Sequence, residues 1–416
     1  MRAVCKFGGT SVGSLDRIRA VADIVEERTK KGEQLIVVLS AMAGDTDRLL
    51  DMAVQLDAQP NERATDALLS SGECVSTALL AIELTRRGCD AVPLQGWQIG
   101  LLTDSAHRRA RILDVGASAL IARLEAGEIP VITGFQGVDE QLNITTLGRG
   151  GSDTSAVALA VAAEADECVI YTDVQGVYTA DPRVVERAQP LRTLHYEEML
   201  ELSSLGAKVL ERRSVEMALK HAVNLRVCSS FVPDDEGTLI TAEPADRRME
   251  SQFSLPVKNI TADVDQAKIT LRGVPDRPGL IGEVLGPIGE AGISVDMIVQ
   301  NIARECTTDI TFTVQRTNLE RTRSIIETYR DTAWQADSVE YLDSVAKISV
   351  IGAGLRDHAG TAAKMFQVLG EAGINIQLVT TSEIYISVSI EERHLEEAQR
   401  LLHAAFNLDA IDGEAA

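Results

Sequence analysis

The chain has 416 residues, enough for two or three domains with cores of their own, and its 45% hydrophobic and 25% charged residues exclude global disorder. A formal net charge of −22 excludes a sequence-independent nucleic-acid binder, which needs a basic footprint, so any phosphate must be held locally. No apolar run approaches the ~18–20 uncharged residues of a membrane span, and six scattered cysteines without metal-site spacing read as reduced thiols of a cytoplasmic protein with no membrane partner and no dedicated metal site.

From the N-terminus, short β-rich runs alternate with helical patterns. "AVCKFGG" leads into the helix-like "SLDRIRAVADIVEERTKKG", followed by "QLIVVLSAM", a long helical stretch, "DAVPLQ" and a further helix near "ILDVGASALIARLEAG". Then come "IPVITGF", the loop and helix "LGRGGSDTSAVALAVAA", "ECVIYTDV" and "NLRVCSS". Such alternation predicts an α/β domain with a mostly parallel sheet covered by helices on both faces, whose ligands gather at the carboxyl ends of the strands. The Gly-rich and hydroxyl-rich segments fall at those ends.

The polar stretch "PDDEGTLITAEPADRRMESQFSLP" closes this domain, placed at 1–245, and opens a linker and the first strand of the following region over 246–265. Beyond it the chain repeats itself: strand, glycine turn, loop ending in Gly, amphipathic helix, "EAGI", strand, with the tetrads starting at Glu290 and Glu371. We read two copies of a small α+β module, over 266–342 and 343–416. Such a pair could serve dimerisation alone, but loops poised between a strand and a helix N-terminus also suit a small ligand.

Two segments carry chemistry. Arg149, Gly150, Gly151 and Ser152 precede a helix starting near Asp153, where free N–H groups and the helix dipole suit an anion and Arg149 can grip a carboxylate or phosphate. The same residues fit a capped buried helix with Ser152 or Asp153 as N-cap. In "KFGGTSVGS", Lys6 ends a strand and is followed by Gly8, Gly9, Thr10 and Ser11, the composition of a phosphate cradle. GxxxxGK[ST] is absent, as is a GxGxxG opening a βαβ unit, which disfavours P-loop and dinucleotide folds. Phosphoryl transfer remains, and it mainly needs positioning and cationic groups.

Together and in this order, "KFGGTSVGS", "LGRGGSDTSAVALA", "YTDVQGVYTADPR" and "GAKVLERRSVEMA", followed by the paired repeat, resemble the aspartate kinases of the amino acid kinase superfamily. The repeat resembles a pair of ferredoxin-like ACT domains. The resemblance implies transfer of the ATP γ-phosphoryl group to the β-carboxylate of L-aspartate, the first step toward lysine, threonine and methionine. It implies that Lys6 and Lys208 meet the ATP phosphates from two sides and that Asp153 holds both lysines in place. Phe7, Gly8, Gly9, Thr172, Asp173, Tyr178 and Arg183 would complete the nucleotide site. Arg149 would bind an aspartate carboxylate beside Gly150, Gly151 and Ser152, with Ser40, Thr46 and Glu73 as further contacts and Glu73 meeting the α-ammonium group. Mg²⁺ would arrive with ATP, since it prefers phosphate oxygens and water to a protein cage.

The same resemblance implies lysine, threonine or both as effectors at the ACT domains, near Asp276, Val295, Gln300, Asn375, Ile376 and Thr381. It implies a homodimer or higher homo-oligomer, and in some relatives a separate small subunit starts at a position like Met249. The chain departs from the family pattern at Gln175, Glu211, Arg212 and Tyr385, and the last of these bears on effector identity. A glutamate or acetylglutamate kinase, or a non-catalytic amino-acid sensor, are the rival readings.

Overall fold

Strand β1 (Arg2–Phe7) is buried from Ala3 onward, as expected of an apolar run inside a parallel sheet covered on both faces. The computed structural model describes residues 1–207, 209–242, 257–301, 306–353, 355, 358 and 360–409. They divide into two units: Met1–Val177, Pro190–Ser203 and the described part of Lys208–Gln252 form the first, and Tyr178–Gln189, Ser204–Ala207 and the described part of Phe253–Ala416 form the second.

In the first unit β1 is followed by α1 (Leu15–Lys30), β2 (Gln34–Leu39), α2 (Asp45–Leu56), α3 (Glu62–Leu69), α4 (Ser71–Arg86) and β3 (Ala91–Leu94). Next come β4 (Leu102–Thr103), β5 (Ile112–Asp114), α5 (Ala117–Glu125), β6 (Ile129–Thr133), β7 (Gln136–Val138) and β8 (Ile144–Thr146). The unit continues with α6 (Gly151–Ala162), β9 (Glu167–Thr172), β10 (Thr193–His195), α7 (Tyr196–Leu205, whose last two residues belong to the second unit), α8 (Arg212–His221), β11 (Leu225–Ser229) and β12 (Thr238–Thr241). The main sheet runs β10-β12-β11-β9-β1-β2-β6-β3, parallel except where β12 returns against β11. A smaller sheet, β5-β4-β7-β8, stands beside it, so Ile112–Asp114 is a strand and not the start of the helix the sequence suggests.

Local chemistry explains the elements. Ser14 caps α1 by accepting the Arg17 N–H at 3.2 Å, and Ile18, Val21, Ala22 and Val25 form its buried stripe. Helix α6 is buried from Gly151 through Ala160, which accounts for its run of small apolar residues. The near-continuous helical stretch Glu62–Arg86 is long and apolar enough by length and composition to span a membrane, but Glu73 and Glu83 interrupt it and half of its most apolar window is buried inside the protein, as in a core helix.

The second unit contains β13 (Asn259–Pro275), α9 (Leu280–Glu290), β14 (Val295–Gln300), β15 (Thr307–Val314), α10 (Leu319–Tyr329) and β16 (Ser338–Ile351), then α11 (Thr361–Glu371), β17 (Leu378–Thr381), β18 (Tyr385–Glu391) and α12 (Leu395–Ala405). The strands form one sheet, β14-β15-β13-β16-β18-β17. Strand β13 runs unbroken through residue 265, where the linker and the first module meet in the sequence reading. Its first half pairs with the end of β16, and its second half, beyond bulges near Gln266, pairs with the start of β16 and with β15. Each module thus borrows its outer strand from a strand whose other half lies inside the other module. The two cores follow suit: Val257 and Ile260 join Ile348, Val350 and Val388, while Val339 and Tyr341 pack with Ile269, Phe312 and Trp334.

The duplication is visible residue by residue. Gly279 and Gly360 cap α9 and α11 in left-handed conformations, φ +90° and +104°. Lys268 and Lys347, at matching positions in "AKIT" and "AKIS", each reach into the other module. Lys268 Nζ donates to Gln377 Oε1 at 2.6 Å, and buried Lys347 pairs with Asp296. Asp296 and Gln377 are themselves matched, each six residues after the start of its "EAGI" tetrad.

Candidate active site

Strand order reverses at β1, with β2 on one side and β9 on the other, and ligands of open α/β sheets gather at the carboxyl ends beside such a reversal. Backbone bonds lock these ends together. The Gly8 N–H donates to the Tyr171 carbonyl at 3.1 Å, Ser40 to Phe7 at 3.1 Å and Gly134 to Leu39 at 2.8 Å. Phe7 is fully buried and stacks on Tyr171 with ring centroids 4.6 Å apart, so it acts as packing beneath the loop.

On this edge Lys6 Nζ lies 2.5 Å from Asp153 Oδ1, with both side chains 11% exposed. The contact is an ion pair outside hydrogen-bond angles. Each partner offsets the desolvation of the other, so neither can be removed cheaply. Asp153 occupies the first turn of α6, whose N-cap is Gly150 at φ +65°, not Ser152 or Asp153. A Cβ at Gly150 would fall 2.3 Å from Glu211 Cβ, so position and φ both demand glycine. Ser152 is buried against Gly134, where a Cβ would stand 2.8 Å from its Oγ. The glycine-rich loop therefore brings α6 against the ends of β2 and β6.

Glu73 reaches the same edge from α4. Its Oε1 accepts the Ala41 N–H at 3.0 Å, while its buried Oε2 has no hydrogen-bond partner among the described residues. Burial pushes this carboxyl up to about 7, with the Ala41 N–H pulling the other way. Ser76 Oγ donates to the Ser40 carbonyl at 2.7 Å, which ties α4 to the β2 exit. Thr46 is half-buried in the first turn of α2. Arg149 is exposed and has no ion-pair partner among the described residues. Glu211 stands near it: burial and the Asp153 charge raise the Glu211 carboxyl, and Arg213 and Arg149 draw it back.

Lys6, Gly8, Gly9, Ser40, Glu73, Ser152 and Asp153 are thus linked around one sheet edge, with Arg149, Gly150 and Gly151 on the loop that enters it. Thr172 is half-buried at the end of β9, its Oγ1 donating to Asp173 Oδ1 at 3.1 Å. Tyr178 and Arg183 belong to the second unit, Tyr178 against its core and Arg183 paired with Asp181 at 2.9 Å. Lys208 and Met249 lie outside the described residues. Sequence reasoning missed Gly134 and the Ala41 N–H. It flagged Glu211 only as a departure, without the contact that Glu211 makes with Gly150.

In the second unit Gln300 Nε2 donates to Asp276 Oδ1 at 3.3 Å. Both line a cavity of about 430 Å³ that the loop before α9 completes with Arg277, Pro278 and Gly279. Val295 packs on the first module's core and Ile376 on the second's, while Asn375 and Thr381 are exposed.

Residues 1–229 match the amino acid kinase family, and residues 269–331 and 348–406 match ACT domains. Over 409 residues, 98% of each chain, the sequence is 51% identical to the aspartate kinase of Pseudomonas putida. The chain belongs to the aspartate kinase family. It is 46% identical to the aspartokinase of Helicobacter pylori over 98% of its own length and 100% of that protein's. E. coli aspartokinase III, solved with aspartate and ADP, shares its architecture at a TM-score of 0.81 and 26% identity, covering 97% of this chain and 99% of that one. The same enzyme solved with lysine and aspartate gives 0.73 at 26% identity, with the same coverage. As an aspartate kinase the chain is an ATP-dependent kinase.

Proposed function

We propose that the enzyme transfers the γ-phosphoryl group of ATP to the β-carboxylate of L-aspartate. The observation that carries the reading is the unpartnered Glu73 Oε2, a buried carboxylate oxygen that a substrate ammonium would satisfy. Arg149, exposed and without an ion-pair partner among the described residues, offers the complementary grip for a carboxylate, and Ser40, Thr46 and Ser152 supply hydroxyls. Lys6 meets the γ-phosphoryl group, with Lys208 as the second phosphate-binding lysine and Gly8 and Gly9 bringing backbone close. Thr172 and Asp173 face the nucleotide.

A β-carboxylate oxygen attacks the γ-phosphorus in line. One O–P bond forms, the bridging P–O bond to ADP breaks, and ADP leaves with that electron pair. The products are 4-phospho-L-aspartate and ADP, and no base is required because the attacking carboxylate is already ionised at neutral pH. Mg²⁺ comes with ATP, since it prefers phosphate oxygens and water to a dedicated protein cage.

We place the enzyme in the cytoplasm, as a homodimer or higher homo-oligomer, at the first step toward lysine, threonine and methionine. The Asp276–Gln300 cavity takes an amino-acid effector, lysine or threonine, with Val295, Asn375, Ile376 and Thr381 as further contacts; a small subunit from Met249 could contribute the same modules. A coupled ADP-release assay with aspartate, glutamate and acetylglutamate, repeated with lysine and threonine, tests the reading. Turnover with glutamate but not aspartate would overturn the substrate, and no turnover with any of them would favour a sensor.

A further inference from the structure

Asp66 on α3 is fully buried, and nothing in the phosphoryl-transfer reading uses it. Its Oδ1 accepts Thr146 Oγ1–H at 2.6 Å, and its Oδ2 accepts the Thr146 N–H at 3.1 Å and the Arg108 N–H at 3.1 Å. His107 Nδ1 lies 2.8 Å from the same Oδ2. Two oxygens surrounded this way make the acceptor set of a carboxylate, and burying one is costly unless its bonds are all made.

Thr146 and Arg108 belong to the approach to Arg149. Thr146 ends β8, three positions before Arg149. The Ala110 N–H donates to the Thr146 carbonyl at 2.9 Å, and the Arg108 carbonyl lies 2.8 Å from where a Cβ on Gly148 would stand. Asp66 therefore clamps both the exit of β8 and the loop against which Gly148 turns. On its own side, α3 passes through Ser70 directly into α4, which carries Glu73. The Ser70 carbonyl accepts Gln136 Nε2 at 2.9 Å, a second tie from the same helix junction to the small sheet.

We infer that Asp66 is a positioning residue that sets the separation between Glu73 and Arg149, and with it the length of amino acid the site accepts. The inference rests on the aspartate reading above and deepens it. An apolar pin could hold α3 to β8, but only directional bonds fix the register of a strand exit to the tolerance that distinguishes aspartate from a substrate one methylene longer.

The test is steady-state kinetics on the full chain for Asp66→Asn, Thr146→Val and Thr146→Ser. Asp66→Asn turns one acceptor into a donor facing donors, Thr146→Val removes the hydroxyl at nearly constant volume, and Thr146→Ser keeps it. The first two should raise the KM for aspartate about 10-fold, leave the KM for ATP within about twofold and narrow the aspartate-over-glutamate preference in kcat/KM, while Thr146→Ser stays near the parent. An unchanged aspartate KM in Thr146→Val, or both KMs and the melting temperature moving together with Ser no better than Val, reduces Asp66 to a structural pin and overturns the inference. Arg149→Ala, measured alongside, separates the two readings. A KM for aspartate that rises there but not in Thr146→Val removes only the role of Asp66; one that rises in neither removes the substrate assignment as well.

Discussion

The Lys6 ammonium at the end of β1 and the Asp153 carboxylate in the first turn of α6 form a 2.5 Å ion pair that joins the central strand to the glycine-rich loop. Lys6→Ala should lower kcat by about 10²–10³-fold, the order lost when one electrostatic contact to the transition state is removed, with a much smaller change in the KM for aspartate. Asp153→Asn should also lower kcat, because Lys6 then loses the charge that fixes it. Steady-state kinetics decide, and near-normal turnover in Lys6→Ala would sink the assignment.

Glu73 makes the site sensitive to pH. Its carboxyl is raised from 4.5 to about 7 in the folded chain, so between those values the folded state binds the extra proton. The stability associated with Glu73 is therefore full below about pH 4.5 and is lost as pH rises to about 7, a difference of about 3 kcal/mol. Glu73→Gln should flatten that part of the curve of urea midpoint against pH. In the parent the KM for aspartate should fall as pH rises through about 7 and the carboxylate ionises; in Glu73→Gln it should be high throughout.

Gly150→Ala should destabilise the chain by about 1–3 kcal/mol, from the left-handed φ and the collision with Glu211 together. Glu211→Gly in the same chain should recover the collision and not the backbone cost, leaving a coupling that thermal melts of the double-mutant cycle can read.

Most of the scaffold could be read before any coordinates. Buried strands such as "QLIVVL" and "ECVIYT" are nearly continuous apolar runs, and the bare loop at Gly150 announces a helix start under constraint. What escaped were contacts between positions far apart in the chain. Asp66 sits in an unremarkable helical "ATDALL", and its partners lie 41, 42 and 80 residues away. Glu211 was visible as a departure, but only the fold brings it against Gly150. The small sheet was missed because its strands are two or three residues long, too short to show a period of two.

In the second unit, Asp296→Ala strands Lys347, a lysine only 3% exposed, and should cost about 3 kcal/mol. Lys347→Met added to it should restore most of the loss. Denaturant midpoints followed by Trp334 fluorescence suit the comparison, since this tryptophan is buried in that unit's core.

Asp276→Ala and Gln300→Ala should each raise the effector concentration for half-inhibition by about 10-fold, the loss expected for one hydrogen bond to a charged group. Titrations with lysine, threonine and both together check this. Inhibition that is unchanged in both variants would move the effector away from the 430 Å³ cavity.

The halves of β13 and β16 serve different modules, so the duplicated copies are not portable parts. Severing the chain between them leaves each with a row of unpaired backbone N–H and C=O groups, and a bare edge of that kind is a template for another strand. A fragment carrying one copy alone would complete its sheet with a second fragment, trading a shared sheet for a self-adhesive one.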